Sequence, residues 1–169
     1  MYDFERPRHY RADGNVMTDR FSLVIDCKDP ESLARFWAAA LGYVLQPPPE
    51  GFATWDDFRR DLGFAEEDLG GGPDSIIDPS GQGPRIWFAA RPADKVVKNR
   101  LHVDIHASGW RAGTLDRSAP FAVRKQRVEA EARRLADLGA TITGPLGSAD
   151  DDPYAMGMKD PEGNEFDIN

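Results

Sequence analysis

The sequence predicts an α+β fold: two βαβββ modules forming an open half-barrel, with a central groove and the helices outside. Three observations lead there. One pattern occurs twice at a constant interval, so that Ser22 falls on His102 and Trp87 on Asp167 when the copies are superimposed. Each copy opens on an alternating strand, Phe21 to Cys27 in the first and Leu101 to His106 in the second. Each then runs through a helix-like stretch to a Leu-Gly stop and closes on an Asp-Pro-x-Gly turn followed by a short apolar strand. One such unit leaves a sheet face bare, and two can cover each other.

Residues 1–20 are mostly charged and polar without periodicity, and read as a flexible extension. The first module spans 21–90. After its opening strand, Asp29-Pro30-Glu31 starts a helix: Asp29 caps it, Pro30 suits the first turn, and Glu31 complements the dipole. Leu33, Phe36, Trp37, Ala40 and Leu41 form the buried stripe, and Gly42 ends it. Tyr43 to Leu45 is the next strand. An insertion at 46–74 begins with three prolines and ends in Gly70-Gly71-Gly72-Pro73. Its Trp55, Phe58, Leu62 and Phe64 suit a short amphipathic helix, expected as a lid over a pocket. Residues 91–100 form a basic connector of solvated charges, with Lys95, Lys98, Asn99 and Arg100. The second module spans 101–169, with a loop at 107–121, a helix from Val123 to Leu138, and strands at Ala140 to Thr143 and Tyr154 to Met158.

Composition narrows the function classes. The 169-residue chain is 40% hydrophobic and 30% charged, sufficient for one compact core. A net charge of −8 argues against nucleic acid and anionic membranes as partners. No apolar run approaches the roughly 18 residues that span a bilayer, and a cytoplasmic protein is expected. Cys27, the single cysteine, excludes an intrachain disulfide and reads as a small buried hydrophobe.

Alternation furnishes the groove. If Leu23, Ile25, Ile86, Phe88, Leu101, Val103, Ile105, Phe166 and Ile168 face the helices, the other face carries the polar set. That set is Ser22, Val24, Asp26, Arg85, Trp87, His102, Asp104, His106, Glu165 and Asp167. Buried carboxylates and imidazoles must be paired or wetted. One reading pairs them internally, His102 with Asp167 or Asp104 and Arg85 with Glu165 or Asp26. The other makes a polar small-molecule pocket with His102 as base or proton donor, oriented by a carboxylate. Trp87 would then be a stacking wall, opposite Trp55 or Phe58, with Arg85 holding an anionic group. His106, at a strand end, reads as an edge residue.

The strand-to-helix passage Val24 to Trp37, the Leu41-Gly42 stop, the segment Lys95 to Asp104 and the closing Asp160-Pro161-Glu162-Gly163-Asn164-Glu165-Phe166 together resemble the vicinal oxygen chelate superfamily. This superfamily includes glyoxalase I, extradiol dioxygenases and bleomycin-resistance proteins; the resemblance, over about residues 20–169, is narrower to glyoxalase-like domains of actinobacterial type. It implies metal ligands from the first and last strands of each module, which map here to Ser22, Trp87, His102 and Asp167. Only His102 and Asp167 are good ligands, where a catalytic metal takes about three. No cofactor is therefore expected; a divalent metal at a rearranged site, on His102 and Asp167 with Asp104 or His106, is the alternative. The expected partner is a small-molecule ligand or substrate, and the resemblance implies a homodimer. Three functions follow: a metal-free glyoxalase-like lyase or isomerase with His102 as base, a resistance-type binding protein without turnover, or a noncatalytic domain whose groove its own side chains fill.

Overall fold

A computed structural model of the chain describes residues 21–91, 95–111, 114–115, 117–148, 150 and 152–169. The expected N-terminal extension, 1–20, lies outside the described residues. Strand β1, Ser22–Cys27, leads into helix α1, Pro30–Leu41, followed by β2, Val44–Leu45. Helix α2, Trp55–Asp61, and a short 3-10 turn at Glu66–Asp68 occupy the insertion before β3, Ser75–Ile77, and β4, Arg85–Ala90. The second module contains β5, Asp104–Ile105, a small hairpin of β6, Trp110–Arg111, and β7, Thr114–Leu115, then helix α3, Phe121–Asp137. It ends with β8, Thr141–Pro145, β9, Met156–Lys159, and β10, Glu165–Ile168.

The two main sheets have the same mixed strand order, β1-β4-β3-β2 and β5-β10-β9-β8. Their registers agree too: Val24 lies opposite Trp87 in the first, and its counterpart Asp104 lies opposite Asp167 in the second. The architecture is α+β, with open sheets that do not close into a barrel. In each sheet the module's first strand is an edge, so β1 and β5 each keep one side unpaired within their sheet.

Local chemistry explains α1. The Asp29 carboxylate accepts from the Ser32 amide at 3.0 Å, Pro30 opens the helix, and Gly42 closes it at φ +70°, a left-handed conformation that favours glycine. Leu33, Phe36, Trp37 and Ala40 are buried, as their spacing predicts. Helix α3 starts at Phe121, two residues before its expected boundary, and the loop ahead of it contains the β6–β7 hairpin.

One core serves both modules. Phe166 of β10 is fully buried with its ring 6.2 Å from Phe36 and 5.1 Å from Trp37 of α1. Arg134 of α3 donates to the carbonyls of Ala39 and Ala40 at 3.1 Å each, satisfying acceptors near the end of α1. The Glu162 carboxylate accepts from the Lys28 and Asp29 amides just ahead of α1, at 2.7–2.9 Å.

Two expectations need correction. Leu101, expected against the helices, is 83% exposed. The strand expected from 101 to 106 contracts to Asp104–Ile105 because the chain ahead of it is held by a side chain rather than a ladder: the Asn99 amide donates to Glu165. Among the described residues, no helix is long and apolar enough to cross a membrane.

Candidate functional site

The seam between the modules opens as a cleft of about 530 Å³. One wall is β1, from Leu23 to Asp26; the other is the segment Asn99 to Val103 leading into β5. Trp37, Asp160, Asn164 and Glu165 complete it. The wall chemistry is mixed, with apolar Leu23, Val24, Ile25, Leu101 and Val103 beside His102 and Arg100. Val24 is 55% exposed.

His102 sits between two groups. Its Nδ1 is 3.4 Å from Asp167 Oδ2, and its Nε2 is 2.8 Å from Lys98 Nζ. An ammonium only donates, so Nε2 is the acceptor and the ring proton belongs on Nδ1, facing the carboxylate. Of the two carboxylate partners expected for His102, Asp167 is the one in contact. Asp104 instead accepts from the Asn169 side-chain amide at 3.2 Å, and Asn169 Oδ1 lies 2.6 Å from His106 Nδ1. His106 is thereby drawn to the strand end, beside Arg127 and Arg134 of α3.

Glu165 anchors the connector. Lys95 Nζ lies 2.8 Å from its Oε2, and the Asn99 amide donates to the same oxygen at 3.1 Å. The Lys95 hydrogen bond, then that amide, hold the carboxyl down at about 2 against an ordinary 4.5. Because the folded-state value is depressed, this contribution is present above the unfolded pKa and lost as pH falls through the folded one. Glu165→Gln should therefore unfold at a lower temperature than the parent at pH 7. The gap should shrink between about pH 4.5 and about pH 2, as followed by circular dichroism. A gap independent of pH would contradict this account.

The remaining polar set divides elsewhere. Arg85 donates to Gln46 Oε1 and Ser75 Oγ of its own module at 2.6 Å each, and not to Glu165 or Asp26. Asp26 pairs with Arg91 at 3.6 Å. Trp87 donates from Nε1 to Asp74 at 3.1 Å and lines a separate depression with Glu31, Arg59 and Gly72. Ser22 lies opposite Arg85 on an exposed stretch of β1. Trp55 and Phe58 pack edge-on at 5.9 Å, Phe52 and Phe58 at 5.2 Å, and Trp55 Nε1 donates to the Gln46 carbonyl. These aromatics touch one another and do not line the seam cleft. Cys27 is buried, and desolvation first, then Glu162 and neighbouring carboxylates, push its thiol up to about 12; it is no nucleophile.

A family model described as "Glyoxalase-like domain" matches residues 22–169. The chain belongs to this family. Among solved structures, the fosfomycin resistance protein FosX from Listeria monocytogenes, determined with Mn(II) and 1S,2S-dihydroxypropylphosphonic acid, has a TM-score of 0.52. It is 8% identical, with 90% of this chain and 92% of that one covered, so it speaks to fold alone. A glyoxalase/bleomycin resistance protein/dioxygenase family enzyme from Burkholderia phytofirmans PsJN has a TM-score of 0.49 at 15% identity, covering 88% of this chain and 94% of its own. No curated protein matches.

The glyoxalase-like fold raises the question of a metal, and the donor set answers it. Trp87 at one of the four mapped positions is not a metal ligand, and its indole N–H is already bonded to Asp74. Both nitrogens of His102 are engaged, one by a lysine ammonium that a cation would have to displace. Among the described residues, no group of three His, Cys, Asp or Glu side chains is arranged to hold an ion. The mapped residues do not fit a divalent metal.

Sequence reasoning missed the connector. Lys98, Asn99 and Arg100, expected as solvated charges, border the cleft or touch His102. Their position immediately before the second module's first strand was the available signal.

Proposed function

We propose that this glyoxalase-like protein binds a small, largely apolar organic ligand in the seam cleft without a metal ion, with His102 meeting the ligand's polar end. The cleft itself carries this reading: its volume of about 530 Å³ lies within the range of roughly 300–1,000 Å³ usual for ligand sites. Its apolar strand edges are interrupted by a few convergent polar groups, the pattern such sites use for orientation. Binding is favoured over turnover because Lys98 occupies Nε2, the nitrogen a general base needs free. A catalytic reading, proton transfer by His102 after Lys98 is displaced, draws support from Asp167 beside Nδ1.

The test is a thermal-shift screen of small organic compounds against the parent, His102→Ala and Val24→Trp. A ligand at 100 times its Kd should stabilise the parent by about 2.7 kcal/mol. His102→Ala should keep its ligand-free melting temperature and weaken binding by about tenfold, the scale of one hydrogen bond to a charged or strongly polar group. Val24→Trp should fill the cleft and abolish the shift. Melting of ligand-free His102→Ala well below the parent would make the imidazole structural, and unaltered binding to Val24→Trp would remove the cleft as the site. Mass spectrometry of each hit after incubation distinguishes turnover from binding.

A further inference from the structure

Resting on the reading of the seam cleft as a ligand site, we infer that its ligand is an organic acid, an apolar body bearing a carboxylate or sulfonate that Arg100 and Lys98 receive. The charges around the cleft lead there. Each carboxylate on its wall already has donors. Asp160 accepts from the Trp37 indole, the Glu162 and Asn164 amides and the Asn164 side chain, all at 2.9–3.1 Å. Glu165 holds Lys95 and the Asn99 amide, and Asp26 faces Arg91.

The cations are not matched in this way. Arg100 lines the cleft and, among the described residues, has no hydrogen-bond or ion-pair partner. Lys98 meets an imidazole nitrogen at 2.8 Å rather than a carboxylate. Arg100 is thus a cation without a fixed counter-charge on a cleft whose own carboxylates already have donors. A guanidinium presents a planar fork suited to a carboxylate, and the Lys98 ammonium keeps further N–H donors for an anion while one remains on His102 Nε2. The apolar wall of Val24, Leu101 and Val103 receives the rest of the molecule. A neutral ligand would leave Arg100 without a counter-charge.

Two dyes of nearly the same apolar body separate charge from shape: anionic 8-anilinonaphthalene-1-sulfonate and neutral N-phenyl-1-naphthylamine. Fluorescence titration of the full chain should give at least tenfold tighter binding of the sulfonate. Arg100→Gln should weaken the sulfonate by about tenfold and leave the neutral dye unchanged, with Lys98→Gln acting in the same direction. Arg100 is exposed, so its substitution should leave the melting temperature unaltered. Val24→Trp should block both dyes. Equal affinities, or sulfonate binding indifferent to both Arg100→Gln and Lys98→Gln, overturn the charge preference while the cleft stands, provided Val24→Trp still blocks. If neither dye binds the parent, or both bind Val24→Trp as well as the parent, the cleft reading falls and this inference with it.

Discussion

Phe166→Ala is expected to destabilise the whole chain by about 3–5 kcal/mol, the range for removing a fully buried phenylalanine from a packed core. The ring is 0% exposed and lies edge-on to Trp37 and tilted to Phe36, side chains of the other module. Truncation therefore opens a cavity where the two modules share their core, and the surrounding helix and strand cannot both collapse into it. Urea unfolding should show a lower midpoint with the slope unchanged, and tryptophan fluorescence and far-ultraviolet circular dichroism should coincide. Two separated transitions, or a loss below about 1 kcal/mol, would mean that each module carries its own core.

The second large effect is expected at Asp160. This carboxylate is 2% exposed, and its two oxygens serve the Trp37 indole and three donors of its own turn. Asp160→Ala leaves the buried Trp37 indole and three half-buried donors without their acceptor, at about 1–3 kcal/mol for each that water cannot reach, or about 3 kcal/mol in total. The turn also presents Glu162 to the amides ahead of α1, so its loosening weakens a second tie between modules. In a Trp37→Phe background the same substitution should cost less, because one orphaned donor is gone. Equal costs in both backgrounds would show that the indole bond contributes nothing. Asp78 forms the corresponding turn of the first module and makes a contrast. The Ser80 hydroxyl, then the Gly83 amide, hold its carboxyl below the usual range, but water reaches it, and Asp78→Ala should cost less than Asp160→Ala.

Much of this architecture was legible before any coordinates. Helix α1 could be delimited by Asp29, Pro30 and Gly42 because capping is a local interaction between near neighbours. The buried faces of Ile86, Phe88, Phe166 and Ile168 could be assigned because successive strand residues point to opposite sides. Leu101 broke that rule because its neighbour Asn99 is tied by Glu165, 66 positions away, and alternation holds only where a ladder keeps the backbone extended. The insertion's helix was readable from its aromatic spacing, whereas its packing was not: Trp55, Phe58 and Phe52 found one another instead of a pocket.

From its residue order alone, then, the chain specified a doubled βαβββ unit, the caps of its first helix and the dry faces of β4 and β10. Those features depend on contacts within a few positions or on the strict period of a strand. The tertiary structure decided the partners across the seam: Asp167 rather than Asp104 for His102, Lys98 on its other nitrogen, Gln46 and Ser75 for Arg85, and Asp74 for Trp87. A charged side chain takes whichever counterpart the packing of distant segments brings within about 3 Å, and nothing local in the sequence encodes that choice.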